Sequence, residues 1–482
     1  MRVLFATSEV VPLIKTGGLA DVSAALPATL RAMNVDVRLL LPGYQQVFDA
    51  LADFQLVADF PALADFPSAR LLTGALPDGI PLWVIECPEL YQRRGDPYQD
   101  ENGRDWPDNA LRFGLLSKIA ALLASDDTPL NWKPDVVHCN DWQTGLTPAY
   151  LHHAKHPAPS VMTVHNLAFQ GLFPASTVAE LALPAACFQP DGVEFHGQLS
   201  FMKAGLYYAN HLTTVSPSYA KEIQTEELGF GLQGLLAHRR KNLTGILNGI
   251  DTAEWNPATD PNLVQHYSAS NLKGKSANKT ALQKRMGLQP DPDTPLIGMV
   301  GRITHQKGLD VVLEIAVQLI ALPAQLVLLG SGDEKMQQAA LALAQKHPGQ
   351  ISACVDFDEG LAHLIEAGAD IFLMPSRFEP CGLNQLYSQR YGTPPVVHAT
   401  GGLIDSVVDC NKTSLANGDA SGFVLKHLNA ANLLATAQRA VASYHDKKIW
   451  HKLQLNCMNK ELGWDQSAAA YHAIYSRLIA PK

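Results

Sequence analysis

Residues 296–308 read Leu296-Ile297-Gly298-Met299-Val300-Gly301-Arg302-Ile303-Thr304-His305-Gln306-Lys307-Gly308. An apolar run stops at a glycine, and the loop that follows carries Arg302 and Lys307. Such a run, unbroken by polar alternation, suits a strand of a parallel sheet covered by helices on both faces. Similar runs recur after it at 325–329, 351–355, 371–374, 395–398 and 423–425. The same scheme precedes it, at 3–6, 35–41, 82–85, 135–138, 161–164 and 212–215, with helical patterns between the runs. This order predicts an α/β chain of two doubly wound domains facing each other across a cleft. The seam is expected near Leu247-Asn248-Gly249-Ile250-Asp251, ahead of a polar stretch at 256–279. A last helical pattern, 465–479, fits either half.

Several runs end in small or polar residues: Thr7-Ser8, Cys139-Asn140-Asp141, His165-Asn166 and Gly330-Ser331-Gly332. Open α/β sheets bind ligands at that end of their strands. Composition narrows the ligand class. The 482 residues are 47% apolar and 17% charged, a globular balance. The 37 Lys+Arg against 46 Asp+Glu leave a net charge of −9, which argues against a nucleic-acid binder or an anionic-membrane binder. No run reaches the roughly 18 apolar residues of a membrane helix, and Met1-Arg2-Val3 leads straight into a strand pattern rather than a leader. The 7 cysteines are scattered without a CxxC pair, so reduced thiols in a cytoplasm are expected.

Three segments carry chemistry. In Lys15-Thr16-Gly17-Gly18-Leu19-Ala20-Asp21-Val22, two glycines open a helix, where free N–H groups and the helix dipole favour an anion, and Lys15 adds a cation. It is not GxGxxG, and Gly274-Lys275-Ser276 is no Walker loop because Ala269 stands where the first glycine must be. Arg302 and Lys307, at a strand's C-terminal end, suit a diphosphate. In Ser376-Arg377-Phe378-Glu379-Pro380-Cys381-Gly382-Leu383-Asn384-Gln385, a helix is expected from Gly382-Leu383, with Glu379 before it to accept sugar hydroxyls. Cys381 reads as a small buried thiol, since no His/Asn pattern points at it. Asp141 beside Trp142, and His165 beside Asn166, suit a polyhydroxyl ligand; helix capping and a satisfied core histidine are the plain alternatives. The DxD triplets Asp356-Phe357-Asp358 and Asp291-Pro292-Asp293 raise a metal, but the cations already present make one unnecessary, and none is expected.

Taken in order, these motifs resemble those of bacterial glycogen synthases and plant starch synthases, retaining glucosyltransferases of the two-Rossmann (GT-B) type. The resemblance runs essentially end to end. Besides the segments above it includes Pro97-Tyr98-x-Asp100, Asp108-Asn109-x-x-Arg112-Phe113, His138-x-Asn140-Asp141-Trp142 and Thr163-Val164-His165-Asn166-Leu167-Ala168-Phe169-Gln170-Gly171. It continues through Thr214-Val215-Ser216-Pro217-Ser218-Tyr219, Ile246-Leu247-Asn248-Gly249-Ile250-Asp251 and Thr400-Gly401-Gly402-Leu403.

The resemblance implies transfer of glucose from ADP-glucose to the non-reducing end of an α-1,4-glucan with retention, releasing ADP. The partners are then a nucleotide sugar and glycogen or a maltooligosaccharide. It sets His165, Arg302, Lys307 and Glu379 in catalytic roles. Lys15, Gly17 and Gly18 would meet the distal phosphate, Tyr98 the donor, and Asp141 and Asn166 the sugar. Asn248 would line the hinge side, and Phe357 would stack on the base. Cys381, Gly382, Leu383 and Thr400 would lie beside sugar and phosphate. It also implies domains at 1–248 (acceptor side) and 249–457 (nucleotide-sugar side), with 458–482 returning as a helix to the first. Asn384, and His398-Ala399 before Thr400, depart from the family pattern on the nucleotide side, which leaves UDP-glucose as the alternative donor. Retention is open to same-face attack or a covalent carboxylate; the first is favoured because Asp141 and Glu379 have recognition roles. A GT-B epimerase or small-acceptor transferase would lack the 15–22 and 163–171 blocks together. An inactive sugar-binding scaffold would have lost Lys15, Arg302, Lys307 or Glu379.

Overall fold

A computed structural model describes residues 1–356 and 358–480. The chain divides into two compact units, one of Met1–Asn248 with the segment that starts at Trp464, the other of Gly249–Gly463.

The first unit is built on a nine-stranded sheet. Its order is Leu243–Gly245, His211–Thr214, Ser160–Val164, Val136–Asn140, Arg2–Ala6, Asp36–Pro42, Pro81–Glu86, Ala69–Ala75 and Gln55–Phe60. The central strands pair in parallel and are buried along nearly their whole length, as their apolar runs demand. From Arg2–Ala6 the parallel strands proceed outward first on one side and then on the other. The topological switch point therefore lies between Arg2–Ala6 and Val136–Asn140, where a crevice opens at the strands' C-terminal ends.

Gln55–Phe60 and Ala69–Ala75 are absent from the sequence reading. They form an antiparallel hairpin at the sheet's edge, and Gln55–Phe60 is mostly exposed, so it has no apolar run to announce it. A small separate sheet, Leu172–Pro174, Gln198–Ser200 and Glu194–Phe195, was likewise too short to read. The helix Asp465–Ile479 packs on the helix Gly18–Ala32 and on Val136–Asn140. Chain return to this unit comes at Trp464 rather than at 458. Up to that point the chain is held in the other unit, where Ile250 N–H donates to Leu462 C=O.

The second unit has a six-stranded parallel sheet in the order Ile351–Cys354, Gln325–Leu329, Leu296–Val300, Ile371–Met374, Pro395–His398 and Phe423–Leu425. Numbered along the chain this is 3-2-1-4-5-6, the Rossmann order, with its switch point between Leu296–Val300 and Ile371–Met374. Apolar side chains of the helix Leu309–Ile320 form one core with those strands and with the helix Ala430–His445. Lys275 confirms that no phosphate loop exists at 274–276. It is buried, with Nζ donating to Ala367 C=O, Tyr391 C=O and Thr393 Oγ1.

Candidate active site

In the first unit the switch point gathers the ends of three strands. After Arg2–Ala6 the chain carries Glu9, only 3% exposed. Its Oε2 accepts the N–H groups of Thr16 (2.5 Å) and Gly17 (3.2 Å), and its Oε1 accepts the Tyr98 hydroxyl, which also meets Ser8 Oγ at 3.0 Å. Burial raises the Glu9 carboxyl above its ordinary pKa despite these donors. The Gly17 amide, expected to meet a phosphate, is thus given to Glu9, and the Tyr98 hydroxyl is turned into the same network. Gly17 is the N-cap, and its carbonyl accepts the Ala20 N–H at 3.2 Å, so the helix's own bonds begin after the N–H groups of Gly18 and Leu19. Lys15 is exposed and pairs with Asp21 at 2.8 Å.

Val136–Asn140 delivers Asn140 and Asp141. Asp141 sits at φ 57°, ψ −174°, a conformation that non-glycine residues adopt only under constraint from their surroundings. Its buried carboxylate does not cap its own helix; Oδ1 accepts the backbone N–H of His165 at 3.2 Å. Burial pushes the Asp141 carboxyl up to about 7, although the N–H groups of His165 and Asn166 draw it the other way. His165 is half-buried, with Nε2 3.1 Å from Asn140 Oδ1, and burial pushes its imidazole down to about 3. Asn166 uses its side-chain oxygen to hold the turn at Ala168 N–H (3.1 Å). Trp142 packs edge-on to Phe113 (4.9 Å) and Phe201 (6.1 Å) and tilted against Tyr98 (6.5 Å). Asn248 is buried and its Oδ1 has no partner among the described residues.

In the second unit the switch point carries an ion pair. Lys307 Nζ lies 2.5 Å from Glu379 Oε2, and Ser376 Oγ donates to the same oxygen at 2.9 Å. Ser376 C=O in turn meets His398 Nδ1 at 2.8 Å. Gly308 follows Lys307 at φ 73°, and a Cβ there would run into the Pro375 carbonyl, so only glycine lets the two loops close on each other. Arg302 is exposed at the end of Leu296–Val300. Cys381 is buried, consistent with a packing thiol. The helix expected from Gly382-Leu383 begins instead at Asn384. Gly382 is left-handed at φ 73°, and Leu383 serves as N-cap. Asn384 Nδ2 donates to Val300 C=O at 2.7 Å. Thr400 is the buried N-cap of Gly401–Ser406, and Gly402 N–H donates to Glu379 C=O at 3.1 Å, bringing that helix to the same place. Phe357 lies outside the described residues.

One aspartate of each DxD triplet has another partner: Asp358 pairs with Arg285 at 2.5 Å and caps a helix, and Asp291 holds Thr294. The described residues do bring Glu254, Glu359 and His363 within 4.8 Å of one another. The glutamates are exposed, and His363 bonds Asp260 and stacks on Trp255. Sequence reasoning missed Glu9 altogether, and it quoted Asn140 and Ser376 within motifs without giving either a role. Their one signal was position, each a polar residue just at or past a strand's C-terminal end.

Two family models divide the chain: the starch synthase catalytic domain matches residues 2–238, and glycosyl transferases group 1 matches 282–450. With the paired Rossmann-like sheets they define the class, a glycosyltransferase. The glycogen synthase of Nitrosomonas eutropha is 58% identical over 99% of this chain and 96% of its own length. That of Nitrosospira multiformis is 56% identical over 100% and 98%. The catalytic domain of starch synthase IV from Arabidopsis thaliana, bound to ADP and acarbose, superposes with a TM-score of 0.90 at 32% identity, covering 100% of this chain and 99% of that one. Sucrose-phosphate synthase from Thermosynechococcus elongatus shares the fold, at a TM-score of 0.60 and 16% identity. The chain belongs to the glycogen synthase family.

Proposed function

We propose that this glycosyltransferase moves glucose from ADP-glucose to the non-reducing end of an α-1,4-glucan, with retention of configuration and release of ADP. The observation that carries the reading is the Lys307–Glu379 pair at the second unit's switch point, with Ser376 on the same carboxylate oxygen. An ammonium and a carboxylate fixed side by side suit a ligand with a diphosphate next to a sugar. The second unit would then hold the nucleotide sugar, and the first the acceptor. The Arabidopsis neighbour's ADP and acarbose, a nucleotide and an oligosaccharide analogue, support that pairing of ligands.

As the bond between glucose and phosphate breaks, charge grows on the leaving ADP and on an oxocarbenium-like carbon. Lys307 and Arg302 stabilise the leaving group by fixed electrostatics, which removes the need for a metal. Lys15 and the first-turn amides of Gly18–Ala32 add a further anion site. Glu379 accepts glucose hydroxyls, and Cys381, Gly382, Leu383 and Thr400 wall the site. His165, Asp141 and Asn166 bind the glucosyl unit, and Asn248 lines the hinge side. Tyr98 acts through Glu9, holding the Lys15–Gly18 loop. Retention follows from attack on the face the phosphate leaves, with that phosphate taking the acceptor's proton. Asp141 and Glu379 are both held by other groups and poorly suited to be nucleophiles.

No helix among the described residues is long and apolar enough to cross a membrane. The 7 free cysteines favour a reducing cytoplasm as the place of action.

The test is extension of maltoheptaose with ADP-glucose labelled in the sugar, followed by β-amylase, which cuts α-1,4 chains from the non-reducing end. Label released as maltose is the expected result. Label that resists β-amylase, or appears as free glucose, would reject the reading.

A further inference from the structure

Asn140 is fully buried at the end of Val136–Asn140, and its amide orientation is set from the far side. Nδ2 donates to the Ala6 carbonyl at 3.0 Å, at the end of the neighbouring strand. The amide oxygen must therefore face the other way, and it lies 3.1 Å from His165 Nε2. An amide oxygen only accepts, so that nitrogen must carry the proton. We propose that Asn140 is a positioning residue that holds His165 as its Nε2–H tautomer, leaving the Nδ1 lone pair to accept a hydroxyl of the transferred glucose. This rests on the reading above that His165 meets the glucosyl unit.

The surroundings agree with a neutral ring. Burial alone disfavours the imidazolium and pushes the pKa down to about 3. The charged and titratable groups of the first unit around it are few. Asp141 accepts the His165 backbone N–H and is itself pushed towards the neutral form by burial. Glu9 acts on Asp141 from the first strand's end, and His138 lies one turn of the pleat before Asn140. His138 has both ring nitrogens engaged, with Tyr475 and Thr163 at 2.6 Å each. Nothing in this set supplies a full negative charge to Nε2 itself. Asparagine matters for that reason: an aspartate of the same shape would accept the same bond but would stabilise His165 as a cation, whose Nδ1 donates instead of accepting.

The experiment has two arms. In the first, long-range ¹H–¹⁵N spectra of histidine-labelled wild type are followed between about pH 5.5 and 8.5, with His165 identified by the signal lost in His165→Gln. The expected pattern is a fixed Nε2–H tautomer without titration; an Nδ1–H tautomer, or titration in that range, would overturn the proposal. In the second, kcat is measured against pH for wild type and Asn140→Asp, with thermal unfolding to show that the variant folds. Asn140→Asp should gain an acid limb that wild type lacks, kcat falling roughly tenfold per pH unit below the raised His165 ionisation. A folded Asn140→Asp whose His165 does not titrate, and whose profile runs parallel to wild type, overturns the proposal. If His165 titrates in Asn140→Asp and kcat ignores it, Asn140 does position the ring. The assignment of His165 to the glucosyl unit then fails instead.

Discussion

Lys307 reaches Glu379 with a charge-assisted bond in a place where Glu379 is only 5% exposed. Its proposed task is met mostly in the transition state, when the diphosphate gathers charge. Lys307→Ala should therefore lower kcat at least roughly tenfold, on the order of 1.4 kcal/mol, with the KM for glucan little changed. A raised glucan KM at constant kcat would move Lys307 to the acceptor. Asp141 offers a test through stability. Its folded pKa, about 7 against an ordinary 3.8, means the fold prefers the neutral carboxyl. Its contribution is then full below about pH 4 and is lost as pH rises through about 7, by an amount on the order of a few kcal/mol. His138 and His165, both pushed down to about 3, act in the other sense and lose stability as pH falls from 6.5 towards 3. Asp141→Asn should remove part of the fall in Tm between pH 5 and pH 8. An unchanged slope would mean that Asp141 is ionised in the fold.

The returning helix Asp465–Ile479 does more than cover the first sheet. Tyr475 OH lies 2.6 Å from His138 Nδ1, whose other nitrogen meets Thr163 Oγ1; Thr163 continues to Thr213 Oγ1 at 2.5 Å. A polar chain thus runs from the helix through adjacent buried strands. Tyr475→Phe leaves His138 Nδ1 without that partner, and should cost about 1–3 kcal/mol, read as a lower denaturant midpoint with kcat retained. An unchanged midpoint would show the contact to be dispensable. What sequence could tell follows from the same physics. Ile371–Met374 and Leu296–Val300 were legible because a strand covered on both faces must be apolar throughout. Gln55–Phe60 was not, because an exposed edge imposes no such pattern. The helix at Asn384 was placed too early, since a glycine before a helix reads the same whether its φ is helical or left-handed. At the site, Lys307 and Glu379 were legible as residue types in loops, but their pairing was not. Glu9 and Tyr98 lie far apart in sequence, and Asn140 and His165 belong to different strands. Such contacts belong to the sheet order, which no local pattern encodes.

Across the whole molecule, each of the two Rossmann-like units brings its candidate groups to a switch point, in a chain whose net charge is −9. On the proposed reading a neutral glucan calls for no basic groove, and only a diphosphate calls for cations such as Arg302 and Lys307. By that same reading these fixed cations, without a metal, drive glucosyl transfer from ADP-glucose. The most direct measurement is glucose incorporation into glycogen from ADP-glucose and UDP-glucose in parallel, with EDTA present, for wild type beside Lys307→Ala. Rapid incorporation from ADP-glucose that survives EDTA and falls at least roughly tenfold in the variant is the result expected on that reading. Incorporation abolished by EDTA, or carried as well by Lys307→Ala as by wild type, would contradict it.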